Sequence, residues 1–97
     1  MTISDEFLAA WDALPEGSFD AVYRGRRYGV TRTERNGGRQ AWLWAEELGG
    51  SECISANLYR LQSGARLKPC EMPAERVVAF VLGAVPCDAG DGRARRG

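Results

Sequence analysis

The segment that decides the fold runs from residue 19 to residue 46 and reads FDAVYRGRRYGVTRTERNGGRQAWLWAE. Apolar and polar side chains alternate along it with a period of two, which is typical of strands that bury one face. Glycine-containing stretches interrupt the alternation at Gly25-Arg26 and at Asn36-Gly37. The segment is therefore predicted to form three antiparallel strands joined by two tight turns.

The first turn is predicted at Gly25-Arg26 as type II′, because glycine accepts the positive φ that this turn requires at its first central position. It sets Tyr23 opposite Tyr28 and Ala21 opposite Val30. The predicted apolar face consists of Phe19, Ala21, Tyr23, Tyr28 and Val30. The other face carries Asp20, Val22, Arg24, Arg27, Gly29 and Thr31.

The second turn, RNGGR (residues 35–39), allows three registers. Moving the third strand by one residue relative to the second reverses which of its side chains face the core. We favour a type I′ turn at Asn36-Gly37, which sets Val30 opposite Leu43 and Gly29 opposite Trp44.

The favoured register groups Ala41, Leu43 and Ala45 with the core. It leaves Trp42 and Trp44 on the face of Arg24 and Arg27. A competing register buries both tryptophans, and it stays open because large aromatic side chains are usually buried.

A helix is expected on each side of the sheet segment in sequence. ISDEFLAAWDALPEG (residues 3–17) has Ser4 as its N-cap and Trp11 as a core anchor on its apolar face. PAERVVAFVLG (residues 73–83) has Pro73 at the first helical position and Gly83 as a natural end.

SECISANLYRL (residues 51–61) fits both a strand and a helix, and we favour a strand because the three-stranded unit needs a fourth to cover its core. ARLKP (residues 65–69) adds a short extended piece. The predicted fold is α+β: a four-stranded antiparallel meander with an N-terminal and a C-terminal helix packed on one face. The other face is left open to water.

Ninety-seven residues with 44% apolar content suit a single core, predicted over residues 1–85. Residues 86–97 offer almost nothing to bury and are expected to form a disordered tail. The chain shows neither a long apolar run nor a secretion signal, so a soluble cytoplasmic protein with no membrane partner is expected. Its small size favours a homodimer.

The cysteines Cys53, Cys70 and Cys87 are odd in number and match no common zinc spacing, so free thiols and no metal or other cofactor are expected. Cys70 precedes a predicted helix and lies near Lys68, which would favour a thiolate. The chain contains no histidine to act as its general base. A thiol enzyme acting through Cys70 is therefore the weakest of the functional hypotheses, and no catalytic residue is assigned.

The remaining functional signal is arginine beside tryptophan. Residues 1–20 carry five acidic side chains and no basic one, whereas residues 21–45 carry six arginines and one glutamate. Tryptophan and arginine often dominate protein interfaces. The candidate partner-binding residues are Arg24, Arg26, Arg27, Trp42 and Trp44.

The first hypothesis is a non-enzymatic protein-binding module that docks on, and inhibits, a larger macromolecular complex. Compact chains of this kind are common among inhibitors from phages and mobile elements, including anti-CRISPR proteins, although this comparison rests on size and character and on no shared motif. The second hypothesis is nucleic-acid binding, with the indoles stacking on bases. It requires the acidic N-terminal helix to lie on the far side of the molecule, because the helix would otherwise repel phosphates.

Overall fold

The computed structural model describes residues 3–70 and 72–87. Helix α1 spans Asp5–Ala13 and helix α2 spans Ala74–Gly83. The strands are β1 (Gly17–Tyr23), β2 (Arg26–Arg35), β3 (Gln40–Glu47), β4 (Cys53–Leu61), β5 (Gly64–Pro69) and β6 (Val85–Pro86).

The α+β class is confirmed, but the predicted strand count of four is wrong. All neighbouring strands are antiparallel, and they form one six-stranded sheet in the order β5-β4-β3-β2-β1-β6. The additional strands are the edges β5 and β6. β6 was missed because a two-residue strand is too short to show alternation.

Strand β6 carries the fold past residue 85. Pro86 pairs with Ala21, and the amide of Cys87 donates to the carbonyl oxygen of Asp20. The predicted tail from residue 88 onward lies outside the described residues.

Both helices pack on the same face of the sheet, as predicted. Phe80 of α2 lies with its ring centroid 5.1 Å from those of Tyr23 and Tyr28, in edge-to-face contact. Trp11 of α1 is fully buried, which confirms its expected place in the core. The Oγ atom of Ser4 accepts a hydrogen bond from the amide of Phe7 at 3.1 Å, so the predicted N-cap is also confirmed.

The first predicted register is wrong by two positions. Tyr23 pairs with Arg26 and Ala21 with Tyr28, so the central turn residues are Arg24 and Gly25 and not Gly25 and Arg26. Both have positive φ, 54° and 76°, which is the geometry of a type I′ turn. The backbone of this turn matches the twist of the flanking strands, but it requires Arg24 to adopt the left-handed conformation, which is unfavourable for a residue with a Cβ.

The second predicted register is also wrong by two positions. Val30 pairs with Ala45, and Gly29 pairs with Glu46 instead of Trp44. The ladder closes at Arg35 and Gln40, which leaves residues 36–39 as a four-residue loop. This arrangement keeps Gly37 and Gly38 out of the strands, where glycine contributes no packing side chain.

An error of two positions leaves each side chain that remains within a strand on its predicted face, because the faces repeat with a period of two. Ala41, Leu43 and Ala45 are buried beneath the helices. Trp42 and Trp44 lie on the opposite side of the sheet, and the register that would bury them is excluded.

Two further features complete the fold. Residues 51–61 form a strand, as favoured, and Ile54, Ala56 and Leu58 contribute to the core. No helix in the described part of the chain is long and apolar enough to cross a lipid bilayer.

Candidate functional site

The side of the sheet away from the helices, here called the open face, presents side chains in regular rows across neighbouring strands. One row consists of Ser18, Thr31, Trp44 and Ser55. The next consists of Thr33, Trp42, Asn57 and Lys68. The outer rows are Arg35, Gln40, Tyr59 and Arg66 at one end and Asp20, Gly29, Glu46 and Cys53 at the other.

Trp42 and Trp44 form the centre of the open face. Their ring centroids are 6.3 Å apart and their planes differ by 21°, so the indoles stack along β3. Trp42 is 36% exposed, whereas Trp44 is half-buried and its Nε1 donates to Oε1 of Glu46 at 3.1 Å. The pair is a rigid aromatic surface with one indole fixed by a hydrogen bond.

Exposed aliphatic side chains also lie on this face, toward its two ends. The described residues include six exposed large hydrophobic side chains: Val22, Trp42, Leu48, Leu61, Leu82 and Val85. All except Leu82, which lies on α2, belong to the open face according to strand alternation and register. Leu48 belongs to it because its side chain packs over Gly29, which is on this face. The Leu48 Cδ2 atom lies 3.4 Å from the position that a Cβ atom on Gly29 would occupy.

The charges of the open face are divided between its two ends. Arg35, Arg66 and Lys68 are exposed near Trp42, and none forms an ion pair with a carboxylate of residues 3–70 or 72–87. The other end carries Asp20 and Glu46. The Arg27 Nη2 atom lies 3.0 Å from Oδ2 of Asp20. One end is therefore basic, and the other has a net negative charge from Glu46, because Arg27 balances Asp20.

A shallow depression lies on each side of the tryptophan pair. The one at the basic end has a volume of about 390 Å³ and is lined in part by Arg35, Trp42 and Tyr59. The one at the acidic end has a volume of about 410 Å³ and is lined in part by Trp44 and Glu46. The indoles thus form a ridge between two recesses of opposite charge.

The predicted partner-binding residues are only partly brought together. Arg27, Trp42 and Trp44 share the open face, but the expectation that Arg24 joins them is wrong. The Arg24 guanidinium carbon lies 5.3 Å from the ring centroid of Tyr23, which faces the helices. The cause is the shifted turn, which makes Arg24 a turn residue.

Arg26 also lies away from the tryptophans, because it alternates in phase with the core residue Tyr28. Its Nη1 atom lies 2.6 Å from Oε2 of Glu47, and this hydrogen bond raises the pKa of Arg26. Together with Arg24 and Arg76 it lines a cleft of about 780 Å³ between α2 and the end of the sheet. Glu47, Glu52 and Glu75 balance the three arginines there, so the cleft has no net charge that would select an ion.

Sequence reasoning missed the basic end of the open face. Arg35 continues the alternation of β2, and Tyr59, Arg66 and Lys68 follow from the pairing of β4 with β5. The alternation of ARLKP was the available signal, but a lone five-residue segment does not indicate which strand it pairs with.

Cys70 extends the ladder between β4 and β5, and its amide donates to the carbonyl oxygen of Ser55 at 2.9 Å. Helix α2 begins four residues later, at Ala74. Asn57 Nδ2 lies 3.9 Å from the Cys70 sulfur. On the same face, burial raises the pKa of Cys53, with smaller contributions from Glu46 and Cys70, and so favours its neutral thiol.

Within residues 3–70 and 72–87, no three cysteine or acidic side chains come together in a group that could hold a metal ion. Comparison of the chain with protein families, with curated proteins and with solved structures finds no match. The candidate site is therefore defined by the geometry of the open face.

Proposed function

We propose that this chain is a non-enzymatic protein-binding module that docks through the open face of its sheet. The observation that carries the proposal is that, among the residues that the structure describes, five of the six exposed large hydrophobic side chains lie on this one face. Exposed apolar side chains gathered on one side of a small domain are a common mark of a protein interaction site. Trp42 and Trp44 at its centre are of the residue type that most often dominates interface energy.

The composition of the patch favours a protein over a polyanion. Val22, Leu48 and Leu61 gain by burial against other apolar side chains and contribute little to contact with phosphates. The acidic end, with Glu46 beside Trp44, would repel a nucleic-acid backbone crossing the whole face. A protein surface of mixed charge can match both ends.

We further propose that docking inhibits the larger complex to which the partner belongs, because a bound module prevents other molecules from using the surface it covers. The expected result is loss of that complex's activity when the purified module is added. Trp42→Ala should reduce this inhibition in parallel with binding.

The direct test compares variants of the two faces in co-purification from source cells. Trp42→Ala should reduce recovery of the partner at least about tenfold, as expected for a central interface aromatic. Leu82→Ala is the matched control, because Leu82 is similarly exposed but lies on α2. Retention of the partner by Trp42→Ala and its loss by Leu82→Ala would place docking on the helical side instead.

Nucleic-acid binding is the second candidate, and one observation favours it. The acidic helix α1 packs on the opposite side of the sheet from Trp42, Arg35 and Lys68, so it does not stand between them and a phosphate backbone. Under this candidate, a single-stranded oligonucleotide quenches tryptophan fluorescence with strong salt dependence, and Arg35→Ala with Lys68→Ala reduces the salt slope. No quenching at low salt would eliminate this candidate.

A further inference from the structure

We infer that a second copy of this chain occupies the open face of the free protein, with the two sheets packed face to face about a twofold axis. The inference rests on the proposed function, since it names one protein partner of the same surface. It follows from the way the charges and the indoles are arranged around the centre of the face.

The twofold axis lies in the plane between the two sheets, midway between the rows of Trp42 and Trp44, and crosses the strands at right angles. Rotation about this axis exchanges the two rows, so Trp42 of each copy meets Trp44 of the other. The same rotation exchanges the row of Arg35 and Gln40 with the row of Gly29 and Glu46, because both lie equally far from the axis along β2 and β3. A C2 interface requires this kind of self-complementarity.

The charges agree with this arrangement. In the dimer, Arg35 of one copy lies over Gly29 of the other, because both residues belong to β2. Asp20 on β1 and Glu46 on β3 flank Gly29, so Arg35 lies between their carboxylates. Because the axis is twofold, the contact of Arg35 with these carboxylates forms twice in the dimer. The basic depression of each copy thus covers the acidic depression of its mate, where Arg27 is already paired with Asp20 and Glu46 remains to meet Arg35.

The area is sufficient for a specific but modest association. Five strands about 4.8 Å apart and rows about 6.8 Å apart give a patch of roughly 500 Å² on each copy. The total of roughly 1,000 Å² is near the lower limit for a specific interface. We therefore expect a reversible dimer that dissociates on dilution.

The experiment uses charge reversal on the full chain, measured by sedimentation velocity over a concentration series. The Arg35→Glu variant places a glutamate between Asp20 and Glu46 of the second copy, and the Glu46→Arg variant places an arginine beside Arg35. Each single variant should raise the dimer dissociation constant about 10- to 100-fold, because like charges then meet twice. The control Arg39→Glu changes the same charge in the hairpin loop, outside the open face, and should dimerise like the wild type.

The decisive sample is the mixture of the two single variants. In a mixed dimer both contacts pair opposite charges, so the mixture should dimerise more tightly than either component alone. The double variant Arg35→Glu/Glu46→Arg should likewise recover self-association. A monomeric wild type at all concentrations, or single variants that dimerise as well as the wild type, would overturn the inference.

The outcome is separable from that of the proposed function. A monomeric wild type whose foreign partner is lost in Trp42→Ala would refute the dimer and leave the docking function standing. Recovery of the dimer by the mixed variants, together with capture of a foreign partner that is indifferent to Trp42, would support the dimer and refute the docking function.

Discussion

At the scale of single residues, Arg32 is the buried charge of the described residues. It is only 5% exposed, although it lies in a stretch rich in exposed arginines. Its Nε donates to the carbonyl oxygen of Leu14 at 3.0 Å, and its Nη1 lies 2.5 Å from Oε2 of Glu34. It therefore ties the end of α1 to the sheet, where a cation also suits the negative end of the helix dipole.

Removal of this side chain should be costly. Arg32→Ala leaves the Leu14 carbonyl and the Glu34 carboxylate without their shared donor, so the free energy of unfolding should fall by about 2–4 kcal/mol. Arg32→Lys should recover only part of the loss, because one ammonium cannot replace the guanidinium fork. Urea denaturation followed by circular dichroism measures both.

The matched control is Arg27→Ala on the same strand. Arg27 is largely exposed and its pair with Asp20 is solvated, so the expected change is below about 1 kcal/mol. Equal effects of the two alanine variants would contradict the role assigned to Arg32.

The inward position of Arg32 could have been predicted from the sequence. It is in phase with Tyr28 and Val30, which the alternation already assigned to the core face. Its partners could not have been predicted, because Leu14 is 18 residues away and meets it only after α1 packs on the sheet.

At the scale of elements, alternation predicted the faces and turn chemistry failed to predict the registers. Faces depend on a local period of two, which each strand carries in its own sequence. Registers depend on which residues adopt positive φ, and VYRGRRY (residues 22–28) offered no unique choice because a left-handed arginine at position 24 was not expected. The exposure of Trp42 was therefore the favoured alternative, with the register that buries it left open, while its neighbours across the strands were not predicted.

The turn between β1 and β2 supplies a prediction about stability. Asparagine tolerates the left-handed region better than arginine does, and Asn-Gly is the preferred pair in type I′ turns. Arg24→Asn should therefore raise the free energy of unfolding by about 0.5–1 kcal/mol, even though it removes the contact with Tyr23.

The opposite change in the same turn is its control. Gly25→Ala should lower stability by about 1 kcal/mol, because its φ is 76° and a Cβ is strained there although nothing lies within 4 Å of it. Thermal denaturation of the two variants against the wild type gives both values. A destabilised Arg24→Asn would show that the cation–π contact outweighs the backbone strain.

At the scale of the whole molecule, a neutral chain is divided into surfaces of different character. The helices cover one face of the sheet and bury Trp11, while the other two tryptophans remain on the open face. The sequence indicated this division through the alternation of apolar and polar residues along the strands and through the separation of acidic from basic segments. The basic and acidic ends of the open face arise only after five strands are aligned, which is why composition alone did not reveal them.

The central claim is that the open face is the contact surface, and site-specific photo-crosslinking tests it most directly. A photoreactive amino acid replaces Gln40, which is exposed beside Trp42 on the open face, in one variant and Leu82 in another. Each variant is irradiated in source cells, and the products are identified by mass spectrometry. We predict that the Gln40 position yields discrete protein adducts and the Leu82 position does not. Adducts formed from Leu82 alone would contradict the account.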